Sequence, residues 1–125
     1  MVDRRPLVMI VNDDAAVLDA LQFVLQLEGL EVQLHNNGMQ LLENRDLPHA
    51  DCLILKDRMP GMDGFELLRS LPARQVYAPA LLLTREASPA LRARAHTAGV
   101  KVVLEMPILD NALVEAVLDA LPSPE

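Results

Sequence analysis

Residues 51–64 read D-C-L-I-L-K-D-R-M-P-G-M-D-G, and the arrangement of the whole chain follows from this stretch. Cys52-Leu53-Ile54-Leu55 is a short unbroken apolar run, as expected of a parallel strand covered on both faces, where neither side-chain direction meets water. Arg58-Met59-Pro60-Gly61 then breaks the strand, since proline removes a backbone donor and glycine accepts turn geometry. Asp63 and Glu66 have the spacing of a capping box, so a helix starts directly afterwards. Its inner face is expected to carry Phe65, Leu68 and Leu71, and Pro72 ends it.

The same strand-then-helix unit recurs on both sides. Upstream, Leu7 to Val11 is a second buried run, and Ala15 to Glu28 places Val17, Leu21, Val24 and Leu25 at helical spacing between an Asp14 cap and a Gly29 stop. Glu31 to His35 alternates like an edge strand, and Gly38 to Arg45 is a shorter helix. Downstream, Ala80 to Leu83 runs into Thr84, Ser88-Pro89 opens a helix and Gly99 stops it. Val102 to Leu104 is the fifth strand, interrupted by Met106-Pro107. Asp110 is then expected to cap a last helix bearing Leu113, Val114, Val117, Leu118 and Leu121. Five such units in strict alternation predict an α/β fold: a doubly wound five-stranded parallel sheet with helices on both faces. One domain is expected over residues 1–125, with its core in 7–121.

Composition narrows the function. A chain of 125 residues, 51% hydrophobic and 23% charged, holds one ordinary core. A net charge of −7, with only Phe23, Phe65 and Tyr77 as aromatics, argues against nucleic acid as a partner. A lone Cys52 and the lack of a leader or long apolar span point to a reduced cytoplasm and away from a membrane. His35, His49 and His96 share no metal-ligand spacing and are expected to be surface or hydrogen-bonded core histidines.

In doubly wound sheets, chemistry lies outside the carboxyl ends of the strands. That rule selects Asn12, Asp13 and Asp14, then Lys56 and Asp57, then Thr84, then Met106 and Pro107. At these positions V-N-D-D (11–14), R-M-P-G-M-D-G (58–64), L-L-L-T (81–84) and E-M-P (105–107) resemble the receiver domain of bacterial response regulators, over nearly the whole chain. The resemblance implies a flavodoxin-like sheet of order 2-1-3-4-5. It also implies, for ordinary members, phosphoryl transfer from a kinase histidine to a receiver aspartate.

This chain departs from that pattern at several places. Four residues before the loop proline, where the resemblance puts the phosphoacceptor aspartate, stands Lys56. Asp57 is one residue further on, and since successive strand side chains point to opposite faces it is expected to turn away as a solvated loop carboxylate. The first of the two acids that hold magnesium in ordinary members is Asn12, while Asp13 remains. The lysine expected before the proline is Met106, and the resemblance implies that the Met106-Pro107 bond is cis. Thr84 keeps the hydroxyl that touches the phosphoryl group in ordinary members, and is expected here to bond nearby backbone. Val103 replaces the aromatic switch residue, so Thr84 and Val103 cannot reproduce that switch.

The formal charges of Asn12, Asp13, Lys56 and Met106 cancel, so magnesium is expected to bind weakly or not at all, and no cofactor is expected. Lys56 is expected to pair with Asp13. If that pair is buried, Asp13→Ala should cost about 3–5 kcal/mol. If Lys56 instead extends to solvent, the contribution is about 0–1 kcal/mol. A carboxylate neighbour would keep Lys56 protonated, which argues against a Schiff-base enzyme.

Opposite charges, Arg92, Arg94 and Lys101 on one side and Glu115 and Asp119 on the other, decorate two adjacent helices. The resemblance implies a homodimer face here, and the plainer reading is a solvated surface. It also implies that the first helix docks a histidine kinase. The sequence thus leads to an atypical, non-enzymatic receiver in a two-component or phosphorelay pathway. It would act by binding a histidine kinase, another response regulator or itself, with no output domain after Glu125. One rival is a phosphotransfer intermediate using a displaced acid, Asp57 or Asp13. Another is a small flavodoxin-like cofactor-binding protein, against which the first loop lacks a glycine-rich or hydroxyl-rich phosphate cradle.

Overall fold

The computed structural model describes residues 4–108 and 110–122, so the expected domain limits at 1 and 125 lie outside the described residues. The order of elements is β1 (Leu7–Val11), α1 (Ala15–Leu27), β2 (Glu31–His35), α2 (Gly38–Leu42), β3 (Cys52–Lys56), α3 (Gly64–Ser70), β4 (Ala80–Thr84), α4 (Pro89–Thr97), β5 (Val102–Glu105) and α5 (Ala112–Ala120). Short 3-10 turns at Leu47–His49 and Pro72–Arg74, which the sequence reading did not include, follow α2 and α3. All strands are parallel, in the order β2-β1-β3-β4-β5.

The two-residue period of the strands divides the core into two layers. Met9, Val11, Leu53, Leu55 and Leu82 face the layer containing α2, α3 and α4. Val8, Ile10, Ile54, Leu81 and Leu83 face α1 and α5. The central strands β1, β3 and β4 are buried on both faces, which is why they read as continuous apolar runs.

Caps fall where the side chains can supply them. Asp14 accepts the amides of Ala16 and Val17, Ser88 accepts that of Leu91, and Asp63 and Glu66 close the reciprocal capping box. Gly29 and Gly99 follow α1 and α4 with φ of +83° and +85°, a conformation that favours glycine. Three helical details differ from the sequence reading. Val24 lies on the outer side of α1, and Leu18 joins Leu21 and Leu25 inside, because these three share one face at 100° per residue. In α3 the fully buried residue is Leu67, with Leu68 only partly covered. The N-cap of α5 is Asn111, which makes no side-chain cap, while the Asp110 carboxylate accepts the Ala112 amide.

His35 is a hydrogen-bonded core histidine. Its Nδ1 lies 3.0 Å from the Ile10 carbonyl and its Nε2 lies 2.8 Å from the Asn44 amide nitrogen, which makes Nδ1 the protonated nitrogen. Its backbone carbonyl accepts the amide of Asn12, so it also braces the end of β1. Burial holds its pKa below the ordinary 6.5 despite the Ile10 carbonyl. An unfolded chain therefore takes up a proton near pH 6.5 that the folded one resists, and stability should be full above that pH and fall as pH drops toward the folded pKa. Urea midpoints between pH 7.5 and 5 are expected to decline in the wild type and to flatten in His35→Gln.

Candidate functional site

The carboxyl ends of β1, β3, β4 and β5 meet at one end of the sheet. Between β1 and β5 they enclose a cavity of about 420 Å³, lined by Asn12, Lys56, Thr84, Met106 and Pro107 among others. These five residues were all selected from the sequence, and the Met106-Pro107 bond is cis. Val103 does not join them: it is half-buried in β5, opposite Leu82, and packs into the layer under α2, α3 and α4.

Lys56 and Asp13 form the expected pair, with Nζ 2.8 Å from Oδ1. The hydrogen bond from Lys56, outweighing the opposing effect of burial, holds the Asp13 carboxyl below its ordinary value. The pair is half-exposed rather than buried, with side-chain exposures of 20% and 33%. The large penalty of an isolated buried charge therefore does not apply. Asp13→Ala is expected to cost about 1 kcal/mol, the upper range for a surface pair, and denaturant melts at low and high salt should show that cost shrinking with salt.

Asn12 is 2% exposed and its Oδ1 accepts the amide of Asp14, so its side-chain oxygen is already used in shaping the β1–α1 turn. Cys52 is fully buried, and burial pushes its thiol up to about 12, leaving it unionised at neutral pH and unreactive.

Asp57 corrects the sequence reading. It does turn to the opposite face from Lys56, but it is not a solvated loop carboxylate: only 7% of it is exposed. The ladder continues one residue past β3, since the Asp57 amide donates to the Leu83 carbonyl, and this keeps Asp57 under cover. Its Oδ1 accepts the Arg58 amide and its Oδ2 accepts the Thr84 hydroxyl at 2.8 Å. Thr84 in turn accepts the Glu86 amide, so one hydroxyl joins the end of β3 to the β4–α4 loop. The expected backbone bond of Thr84 is present, and the bond to Asp57 was missed. Strand parity would have suggested it, because Thr84 shares a face with Leu82 and Asp57 shares that same face with Leu55.

The charged helix face also changes. The Arg94 guanidinium lies 4.0 Å from the centre of the Phe65 ring, so it packs toward α3 instead of joining Arg92, Lys101, Glu115 and Asp119. Those four are exposed, and among the described residues none makes an ion pair within the chain.

Comparison with known proteins agrees with this architecture. Residues 8–118 match the family model of the response regulator receiver domain. The transcriptional regulatory protein FixJ of Bradyrhizobium diazoefficiens is 32% identical over 114 residues, 91% of this chain and 56% of the relative. The C4-dicarboxylate transport transcriptional regulatory protein DctR of Rhodobacter capsulatus is 34% identical over 94% of this chain and 61% of its own. The response regulator StyR has a solved structure that superimposes with a TM-score of 0.85 at 33% identity, over 94% of this chain and 60% of that one. The chain thus spans a little over half the length of these relatives. Its sheet order and its sequence place it together with them: the chain belongs to the response regulator receiver domain family of two-component signalling.

Proposed function

We propose that this receiver signals by protein binding, without phosphorylation at the position its family uses, because that position is Lys56. The observation that carries the reading is the 2.8 Å bond from Lys56 to Asp13. Position 56 offers no carboxylate to take a phosphoryl group, and its amine is engaged by the Asp13 carboxylate. The same bond supplies internally the positive charge that a metal ion would otherwise bring to Asp13. With Asn12 turned to the Asp14 amide and Met106 offering no charge, the donors suit magnesium poorly, since it favours several oxygens in an octahedron. No enzymatic role and no cofactor are assigned.

The partners proposed are a histidine kinase or another response regulator, in the cytoplasm, or a second copy of the chain. A second copy would use Arg92 and Lys101 against Glu115 and Asp119, without Arg94. Light scattering that finds only monomer up to the highest soluble concentration would remove the self-association.

The rival reading, phosphorylation of Asp57, meets a buried carboxylate whose two oxygens already accept hydrogen bonds. The deciding experiment is intact mass after incubation with magnesium and a small phosphodonor. No adduct is expected on the wild type. An adduct of one phosphoryl group that disappears in Asp57→Asn would overturn the proposal. Lys56→Asp, treated identically, reports whether the remaining pocket still supports the chemistry.

A further inference from the structure

Charge is segregated along this chain and across its sheet. Residues 58–101, which supply α3, β4 and α4, hold seven of the 11 cationic side chains and only three of the 18 acids, a net of +4, and the remainder carries −11. Helix α4 has Arg92 and Arg94 and no acid, and α3 adds Arg69. On the opposite side of the sheet, the stretches 14–28 and 110–121, which contain α1 and α5, have no lysine or arginine. Their acids, Asp14, Asp19, Glu28, Asp110, Glu115 and Asp119, are all exposed. We propose that these two faces bind each other between copies, so that the chain assembles head to tail into open-ended oligomers.

Apolar surface supplies the association energy, and charge selects the partner face. Phe23 and Leu27, 65% and 70% exposed, stand one turn apart on the outside of α1, and the exposed Ala16 and Ala20 continue the same stripe. The inner side of α1 is already buried through Leu18, Leu21 and Leu25. The helix is therefore apolar on both sides, the pattern of a helix covered all round. Its rim is acidic, so pairing α1 with its own copy across a two-fold axis would set acids against acids, and pairing α4 with α4 would set arginines against arginines. The face that answers an acidic rim is the α3–α4 side. There the Arg94 guanidinium lies 4.0 Å from the centre of the Phe65 ring, and Arg69 follows Phe65 by one turn of α3. The exposed Ala90 and Ala93 offer short side chains to an incoming Phe23 or Leu27, and the arginine stems add apolar contact. Among the described residues, neither these arginines nor the acids of the α1 rim form an ion pair within the chain.

Because the two faces lie on opposite sides of the sheet, two copies cannot satisfy both at once, and each addition leaves one face of each kind open. The two-fold pairing of Arg92 and Lys101 with Glu115 and Asp119, in contrast, stops at two copies. Head-to-tail assembly requires nothing of Lys56 or of any aspartyl phosphate.

Sedimentation velocity over a range of concentrations, in low and in high chloride, tests this. The weight-average mass of the wild type is expected to climb past that of a dimer without a plateau in low chloride, and to fall toward monomer in high chloride. Asp19→Arg/Phe23→Ser closes the acidic face and Arg69→Glu/Arg94→Glu closes the basic one, all at exposed positions. Each double variant should raise the concentration needed for half-association by about tenfold or more. Mixed in equal amounts, the two variants should form one-to-one dimers and nothing larger, because each retains the face that the other has lost. A wild type that stays monomeric in low chloride, or a mixture no more associated than its parts, would overturn the proposal. So would a wild type that levels off at a dimer, an outcome that leaves the two-fold pairing intact.

Discussion

Valine at position 84 is expected to lower the free energy of unfolding by about 2–3 kcal/mol, the range for a lost hydrogen bond to a charged group. Thr84 and Asp57 are 2% and 7% exposed, so water cannot readily replace the missing partner. Thr84→Val keeps the shape of the side chain and removes only the hydroxyl. Two groups then lose their partner together: the Asp57 Oδ2 its donor and the Glu86 amide its acceptor. Thr84→Ser keeps both bonds and deletes one methyl, so it should cost about 1 kcal/mol. That ranking separates the hydrogen bond from packing. A cycle combining Thr84→Val with Asp57→Leu, read by urea denaturation, should show the two sites coupled by more than about 1 kcal/mol, since each change removes the same buried contact. If Thr84→Val melts with the wild type, the carboxylate has found another donor and Thr84 does not hold the β4–α4 loop.

The residues that could be read from sequence and those that could not differ in what they depend on. Cys52 to Leu55 and Ala80 to Leu83 declared themselves as strands because burial on both faces demands an unbroken apolar run, and the order of elements then left few topologies. The pairing of Lys56 with Asp13 was legible because both stand at strand carboxyl ends, which the fold brings together. Their exposure was not legible, since it depends on how the loops around Lys56 settle. Asp57 was misjudged for a related reason. A residue just past a strand reads as loop, and only the register between β3 and β4, with the Asp57 amide bonded to Leu83, places it under cover beside Thr84. The stacking of Arg94 on Phe65 joins α4 to α3, a contact between helices that the period of neither one records. Local pattern therefore specified the elements, and the contacts it did not record lie where two elements meet.

Gly64 is such a meeting point, and Gly64→Ala is expected to destabilise the fold by about 3 kcal/mol, at the upper end for overpacking. Backbone freedom is not the reason, since Gly64 is not among the residues with positive φ. A Cβ added there would collide with the backbone carbonyl oxygen of Lys56 and lie 3.2 Å from the Asp57 Cα. Neither atom belongs to a flexible side chain, so α3 itself must move. The Gly64 amide donates to the Asp57 carbonyl at 2.9 Å, and this bond fixes the start of α3 against the end of β3. Alanine favours helix over glycine by about 1 kcal/mol, so intrinsic propensity acts in the opposite direction and a net loss would isolate the collision. The displacement should spread to both sides of the strand end: amide shifts are expected at Asp57 and Arg58, and at Phe65 beneath Arg94. Urea denaturation and an amide spectrum of the single variant suffice to check this. Equal or greater stability in Gly64→Ala would mean that the β3–α3 loop yields freely, and the close approach of α3 could not then be what holds Lys56 and Asp57 on opposite faces of the sheet.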